Sequence, residues 1–395
     1  MKIEELKYRT IFNSGGKAAL EFGIRADKIW HWAGIPSSQS AGEREARVFS
    51  APEVQSVWKK IVLQLEGRKF RSIYDFDDFI LRLDGTETKT KLGGNVILGL
   101  SLAFGRSLAA ERKVDLWEVL REEFFRTTRG QEYPVIYANM IEGGVHARNN
   151  LDIQEYLVLA ETKPNPLQAV GQLSAFYETL GEYISIKSKI RPIPIGSEGG
   201  YNVFWKNNEE PIAVLAKIIK AAKLSFRLGL DVAASEFYED NGYRFEGRKR
   251  TPAYMQNVYA KYLKKYSGLI SIEDPFGEND RANFKKFCKN SVNILAVGDD
   301  LTTTNPKEIK RCAAEGLVSG VIIKANQIGA LSETCRAIDL AHARGLKCIV
   351  SHRGQETEDV FLMHLARAAN AHGVKIGAPI RERILKYNEL LRIYQ

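Results

Sequence analysis

A chain of 395 residues, 44% of them hydrophobic and with a formal charge of +9, excludes a disordered or low-complexity protein and is ample for a large apolar core. At roughly 100–200 residues per domain, with an α/β barrel of about 250 counting as one, this length predicts one large domain and a smaller one. Four cysteines, all in the C-terminal third and without a Cys-x-x-Cys pair, exclude a disulfide framework and a zinc ribbon and predict a reducing compartment.

The first ten residues alternate charged and apolar side chains and lack the apolar core of a signal peptide, so a cytoplasmic protein is expected. A strand-like stretch from Tyr8 to Phe22 leads into a Ser/Gly-rich loop from Pro36 to Gly42. Two helices are predicted next, Ala51 to Glu66 and Leu92 to Arg112, the second rich in small residues that allow close packing. Its apolar stretch, Asn95 to Gly105, is broken by Gly and Ser and falls short of the ~20 residues a membrane span needs, so no membrane partner is expected. Up to about Phe125 the chain reads as α+β, giving an N-terminal domain over residues 1–128 and a second domain over 129–395.

From about Tyr133 onward, short apolar runs recur, each closed by a polar residue and followed by a helical stretch. The runs end at Asp231, Glu273, Asp299, Lys324, His352 and Lys375, with separations of 42, 26, 25, 28 and 23 residues. Spacings in the twenties match one strand plus one helix, the rhythm of a (β/α)8 TIM-type barrel, whose chemistry sits at the C-terminal strand ends. Between the first two runs lies Gly247-Arg248-Lys249-Arg250, the best local support for nucleic-acid binding. Lys and Arg are otherwise interleaved with acids, so the run is read as a solvated loop and a nucleic-acid partner is not expected.

Three carboxylates on neighbouring strand ends, Asp231, Glu273 and Asp299, repel one another unless something neutralises them. Either a hard divalent ion such as Mg²⁺ does so, or each acid pairs with a barrel Lys or Arg. The cationic and ionisable groups on the following strands, Lys324, His352, Arg353 and Lys375, make a metal half and a base-and-anion half. Such a division suits removal of a proton next to a carboxylate by a Lys whose pKa is lowered by nearby cations, and Lys324 and Lys375 are expected to depress one another. Arg353 offers a fork for a phosphoryl group. Upstream, the glycine pair Gly143-Gly144 sets His146 and Arg148 on a loop with Glu155 shortly after, and Gly196-Ser-Glu198-Gly-Gly200 exposes an acid either as a tight turn or as a mobile loop delivering a general acid.

These residues resemble a known family over nearly the full length. Ser271-Ile-Glu-Asp-Pro-Phe276, Asp299-Asp-Leu-Thr302, Lys324-Ala-Asn-Gln-Ile-Gly329, Ser351-His-Arg353, Lys375-Ile-Gly-Ala-Pro379 and Leu83-Asp-Gly-Thr86 are similar to the motifs of enolase, phosphopyruvate hydratase. The resemblance implies an N-terminal α+β domain followed by a modified (β/α)8 barrel, a phosphorylated carboxylic acid as substrate, two Mg²⁺ ions and a homodimer. A Lys or His base with one or two Mg²⁺ is the recognised arrangement of this superfamily's sites. It further implies that Asp231, Glu273 and Asp299 hold the tighter ion, that Lys324 is the base, and that Glu198, with Glu155 close by, handles the leaving hydroxyl. His352, Lys375, His146, Gln154 and Ser40 are then substrate-contacting or catalytic, with Arg353 on the phosphate.

Departures cluster where substrate and closing loops belong. The family's Ser-His-Arg-Ser-Gly-Glu reads Ser351-His-Arg-Gly354-Gln355-Glu356, Arg148 adds a cation to the His146 loop, and Gly-Asp-Glu-Gly-Gly reads Gly196-Ser197-Glu198-Gly-Gly200. Near the start, Asp-Ser-Arg-Gly-Asn reads Asn13-Ser-Gly15-Gly-Lys17. Two enzymatic readings follow: an enolase acting on 2-phosphoglycerate, or a carboxyphosphonoenolpyruvate synthase-like enzyme of phosphonate biosynthesis, with Gly354 and Arg148 accommodating a substituted phosphoryl group. The third reading is a non-catalytic scaffold, against which the intact Lys324, Glu198 and acidic trio argue.

Overall fold

The computed structural model describes residues 1–36, 45–128 and 130–394; Ser40, predicted to contact substrate, lies outside the described residues. Strands β1 (Glu5–Phe12), β2 (Ala18–Ala26) and β3 (Ile29–Ile35) form an antiparallel meander. The single strand-like stretch expected from Tyr8 to Phe22 is thus a hairpin. The chain reverses because the Asn13 side-chain oxygen accepts from the N–H groups of Gly15 and Lys17 at 3.0 Å each, and Gly16 takes φ +70°.

The two predicted helices are present, at Ala51–Leu65 and Gly94–Arg112. A capping box between Ser50 and Glu53 starts the first. The second is buried on almost every side, and its small residues let backbone approach strand: a Cβ on Gly99 would lie 2.2 Å from the Phe22 ring.

The remaining sequence closes an eight-stranded barrel. Its strands are β4 (Val135–Glu142), β5 (Glu155–Glu161) and β6 (Arg227–Asp231), then, after a small side sheet, β10 (Leu269–Glu273), β11 (Leu295–Gly298), β12 (Gly320–Ile323), β13 (Lys347–Ser351) and β14 (Gly373–Lys375). The side sheet comprises β7 (Tyr238–Glu239), β8 (Gly242–Phe245) and β9 (Arg248–Arg250). Hence the basic run is a strand, not a loop; Arg248 and Lys249 are exposed, while Arg250 lies over the Tyr254 ring.

β5 runs antiparallel to both neighbours, whereas the other barrel contacts are parallel. The link from β4 to β5 carries only a single 3₁₀ turn, Gly144–His146, and lacks the helical crossover that a parallel return requires. Tyr137, Leu157, Leu159, Val297, Ile322 and Ile349 form a cluster separate from the main core and fill the barrel. Among the described residues no helix is long and apolar enough to cross a membrane.

One ion pair ties the helix Gly94–Arg112 to the barrel. Arg106 Nη1 and Nη2 reach Asp359 Oδ2 and Oδ1 at 2.8 and 2.6 Å, and the same carboxylate accepts from Gly34 N–H at 3.2 Å. Burial acts to raise the Asp359 pKa, but Arg106 outweighs it and holds the acid below its ordinary range. Arg106→Met is therefore expected to cost about 3 kcal/mol by leaving that buried carboxylate unpaired. In the parent this contribution is present above the unfolded-chain pKa of Asp and lost as pH falls through the lower folded value. Urea titrations should give variant and parent curves that converge in acid; parallel curves would count against the assignment.

Candidate active site

The strand ends bring together most of the residues expected to act. Asp231 closes β6, Glu273 closes β10, Asp299 follows β11, Lys324 follows β12, His352 and Arg353 follow β13, and Lys375 closes β14. Register sets Glu273 beside Asp231, and Asp231 beside Glu155. Because β5 is reversed, its first residue, Glu155, reaches the same mouth as the last residues of the other strands.

Both alternatives raised for the acids bear on this arrangement. Lys375 Nζ stands among three carboxylates, 2.7 Å from Asp231, 2.9 Å from both oxygens of Glu273 and 3.1 Å from Glu155, and Lys324 Nζ bonds Asp299. The lysines do not balance the charge: Glu236, Asp274 and Asp300 line the same cavity, and Asp299 Oδ1 is buried with no hydrogen-bond partner. Burial, reinforced by neighbouring acids, pushes Glu273 and Glu155 well above the ordinary carboxylate range. An under-neutralised set of hard oxygen donors on three adjacent strands fits a divalent cation. The expected mutual lowering of the lysines is not found. Burial, Arg353 and Lys375 act downward on Lys324, but Asp299 holds it above its ordinary range; against burial, Asp231, Glu155 and Glu273 hold Lys375 well above its own.

Glu198 lies in the same cavity. Its Oε2 faces His352 Nε2 at 3.1 Å and accepts from Asn139 Nδ2 at 3.3 Å; its Oε1 is 3.9 Å from His146 Nδ1, which is 3.7 Å from Glu155. Although burial acts to raise it, the surrounding groups, His352 first, hold Glu198 well below its ordinary range. His352 itself is pushed down to about 4, chiefly by burial, against the pull of Glu198 and with the help of Arg383.

Arg383 was not anticipated, because the charged run Arg381-Glu-Arg383 looks solvated. It is fully buried, with Nη1 2.7 Å from His352 Nδ1 and further bonds to the carbonyls of Arg353, Ser197 and Gly354 at 2.8, 3.1 and 2.6 Å. A guanidinium only donates, so His352 Nδ1 accepts, and the ring's proton lies on Nε2, directed at Glu198.

Arg353 Nη1 donates to Asn326 at 3.1 Å and Nη2 at 3.4 Å to Glu45, a further cavity residue the strand-end reading missed. Its own N–H donates to Glu356 Oε1 at 2.7 Å, and Glu356 exchanges bonds with the hairpin loop: Ser14 N–H to its carbonyl at 2.7 Å, its N–H to Ser14 Oγ at 3.1 Å. Gln154 lines the cavity, with Nε2 3.5 Å from Asp231. Gly354 borders open space, since an added Cβ would meet only Glu198 Oε1 and Ser197 Oγ, both at 3.8 Å. Arg148, expected to add a cation to the substrate, is exposed and does not line the cavity.

Residues 3–120 match the family model described as enolase, N-terminal domain, and residues 131–395 match enolase, C-terminal TIM barrel domain. The enolase of Elusimicrobium minutum is 34% identical, covering 100% of this chain and 96% of its own. Enolase 1 of Lactococcus lactis subsp. cremoris is also 34% identical, covering 99% and 96%, and the enolase of Anaplasma phagocytophilum 35%, covering 99% and 94%. With both models matched in order and full-length relatives sharing a third of its residues, the chain belongs to the enolase family of enzymes.

Proposed function

We propose that the chain eliminates water from 2-phosphoglycerate or a close analogue. The observation that carries this reading is that a buried Lys324, the strand-end acids Asp231 and Asp299 and the Glu198–His352 pair line one cavity, with Glu273 joined to Asp231 through the Lys375 ammonium. Lys324, once it gives up the Asp299 bond that holds it protonated, takes the proton next to the substrate carboxylate, and the C–O bond to the adjacent carbon breaks as the double bond forms. Glu198 and Glu155 handle the leaving hydroxyl, and since burial and the Glu198 charge hold Glu155 well above its ordinary range, the pair keeps a proton to give. Arg353, Lys375, His146 and Gln154 orient the anionic substrate, and His352 presents its Nε2–H to Glu198. Asp231, Glu273 and Asp299 would hold Mg²⁺, with a second ion in the same reading. Bound there, Mg²⁺ would supply positive charge against the negative charge that develops on the substrate carboxylate. Dimer formation belongs to this reading too and is read out by sedimentation.

Purified protein and 2-phosphoglycerate are expected to give the absorbance of the enol product only with Mg²⁺, the signal vanishing on chelation. Absence of turnover in a protein that still binds Mg²⁺ would overturn this reading and favour a phosphonoformate-derived substrate. The latter keeps one support, the open space at Gly354, and loses the other, since Arg148 stands outside the cavity.

A further inference from the structure

Glu142 ends β4 fully buried, and nothing in the proposed reaction uses it. The loop carrying Glu198 is wrapped around its carboxyl. Glu142 Oε1 accepts the N–H of Glu198 at 3.0 Å and that of Gly200 at 2.7 Å. A Cβ on Gly196 would lie 1.8 Å from Glu142 Oε2, and one on Gly200 would lie 3.0 Å from its Cγ, so both ends of the loop are glycine because the carboxyl fills the space a side chain needs. Outside this grip, Tyr177 donates to the Gly199 carbonyl at 2.6 Å, Arg383 to that of Ser197 at 3.1 Å and the Ala378 N–H to that of Glu198 at 3.0 Å.

The two oxygens are unequal. One takes two backbone donors; the other is buried with no hydrogen-bond partner, a costly position for a charged oxygen and a tolerable one for a hydroxyl. Burial, reinforced by Glu198, pushes the acid up to about 8 against the pull of the two N–H groups and Arg383. The charged and titratable groups facing it are Glu198, Arg383 and the Tyr177 hydroxyl. A neutral acid can grip the loop without setting a second negative charge beneath Glu198.

We propose that Glu142 is a positioning residue for Glu198: its buried carboxyl, with the proton on Oε2, fixes the Gly196–Gly200 backbone and thereby the point at which Glu198 meets His146 and His352. The effect on rate rests on the function proposed above; the effect on the loop does not.

Glu142→Gln keeps the acceptor oxygen without a titration, and Glu142→Leu keeps the bulk without the acceptor. Hydrogen exchange should show the amides of Glu198 and Gly200 exchanging at least about tenfold faster in the Leu variant, while the Gln variant keeps its protection. In turnover, the Leu variant should lose about 10²-fold in kcat with KM within about threefold, and the Gln variant should stay near the parent. The melting profile adds a sign: the folded chain keeps a proton that an unfolded Glu releases near 4.5, so parental stability falls as pH rises from about 4.5 to about 8, and the Gln variant should lack that fall. Unchanged amide exchange in the Leu variant, or equal loss in both, overturns the proposal. If the parent itself fails to turn over 2-phosphoglycerate, the proposed function falls, while exchange and melting still decide the role of Glu142.

Discussion

Lys324→Ala is expected to lower turnover by about 10³-fold, the usual scale for loss of a general base, while Mg²⁺ still binds. Lys324 caps the short helix Ala325–Ile328, its N–H bonded to Thr304 Oγ1 at 2.9 Å, so its backbone is fixed independently of its side chain. Truncation removes the Nζ and leaves Asp299 without that partner. Cation affinity should therefore hold or rise as rate collapses, a split that a folding defect does not produce. Calorimetric Mg²⁺ titration beside single-turnover measurement separates the two quantities. A residual rate within about tenfold of the parent would remove Lys324 as the base.

The second large effect is on stability. Lys375→Met keeps the stem length and deletes the charge that three carboxylates share. A buried acid stripped of its partner typically costs about 3–5 kcal/mol, and here Asp231, Glu273 and Glu155 lose theirs together. The variant should melt far below the parent in EDTA, and because its acids are freed of the competing ammonium it should bind Mg²⁺ more tightly, narrowing the gap by about 1.4 kcal/mol for each tenfold gain in affinity. Equal deficits with and without Mg²⁺ would mean that Lys375 and the ion do not compete for these acids.

The parallel strands were readable because each ends in a chemically distinct side chain after an apolar run, so spacing alone located Asp231, Glu273, Asp299, Lys324, His352 and Lys375. Glu155 escaped that reading. In the reversed strand β5 Glu155 precedes the apolar run instead of closing it, so it was noted only as an acid after the His146 loop, and its proposed role came from the family resemblance. Arg383 and Glu142 were invisible for another reason: their burial is decided by the packing of the Gly196–Gly200 loop against two distant segments, which local pattern does not encode. The Tyr8–Phe22 stretch was misread because the break in alternation at Asn13-Ser-Gly-Gly-Lys17, a Gly-Gly turn signal, was passed over; the Asn13 side chain closes that turn. Arg148 shows the opposite case, a charge two residues from His146 that is exposed and does not line the cavity His146 lines.

The paired bonds between Ser14 and Glu356 bear on how this protein can be inherited. Glu356 orients the Arg353 backbone and accepts Lys386 at 2.8 Å, and it is itself oriented by the N-terminal hairpin. A barrel excised as a separate gene would keep every strand-end residue and lose the brace behind Arg353. Recombination between the two halves is thereby restricted to partners whose hairpin and strand-end loop fit each other, and in this chain the two segments touch, Asn13 Nδ2 donating to Gln355 Oε1 at 3.2 Å.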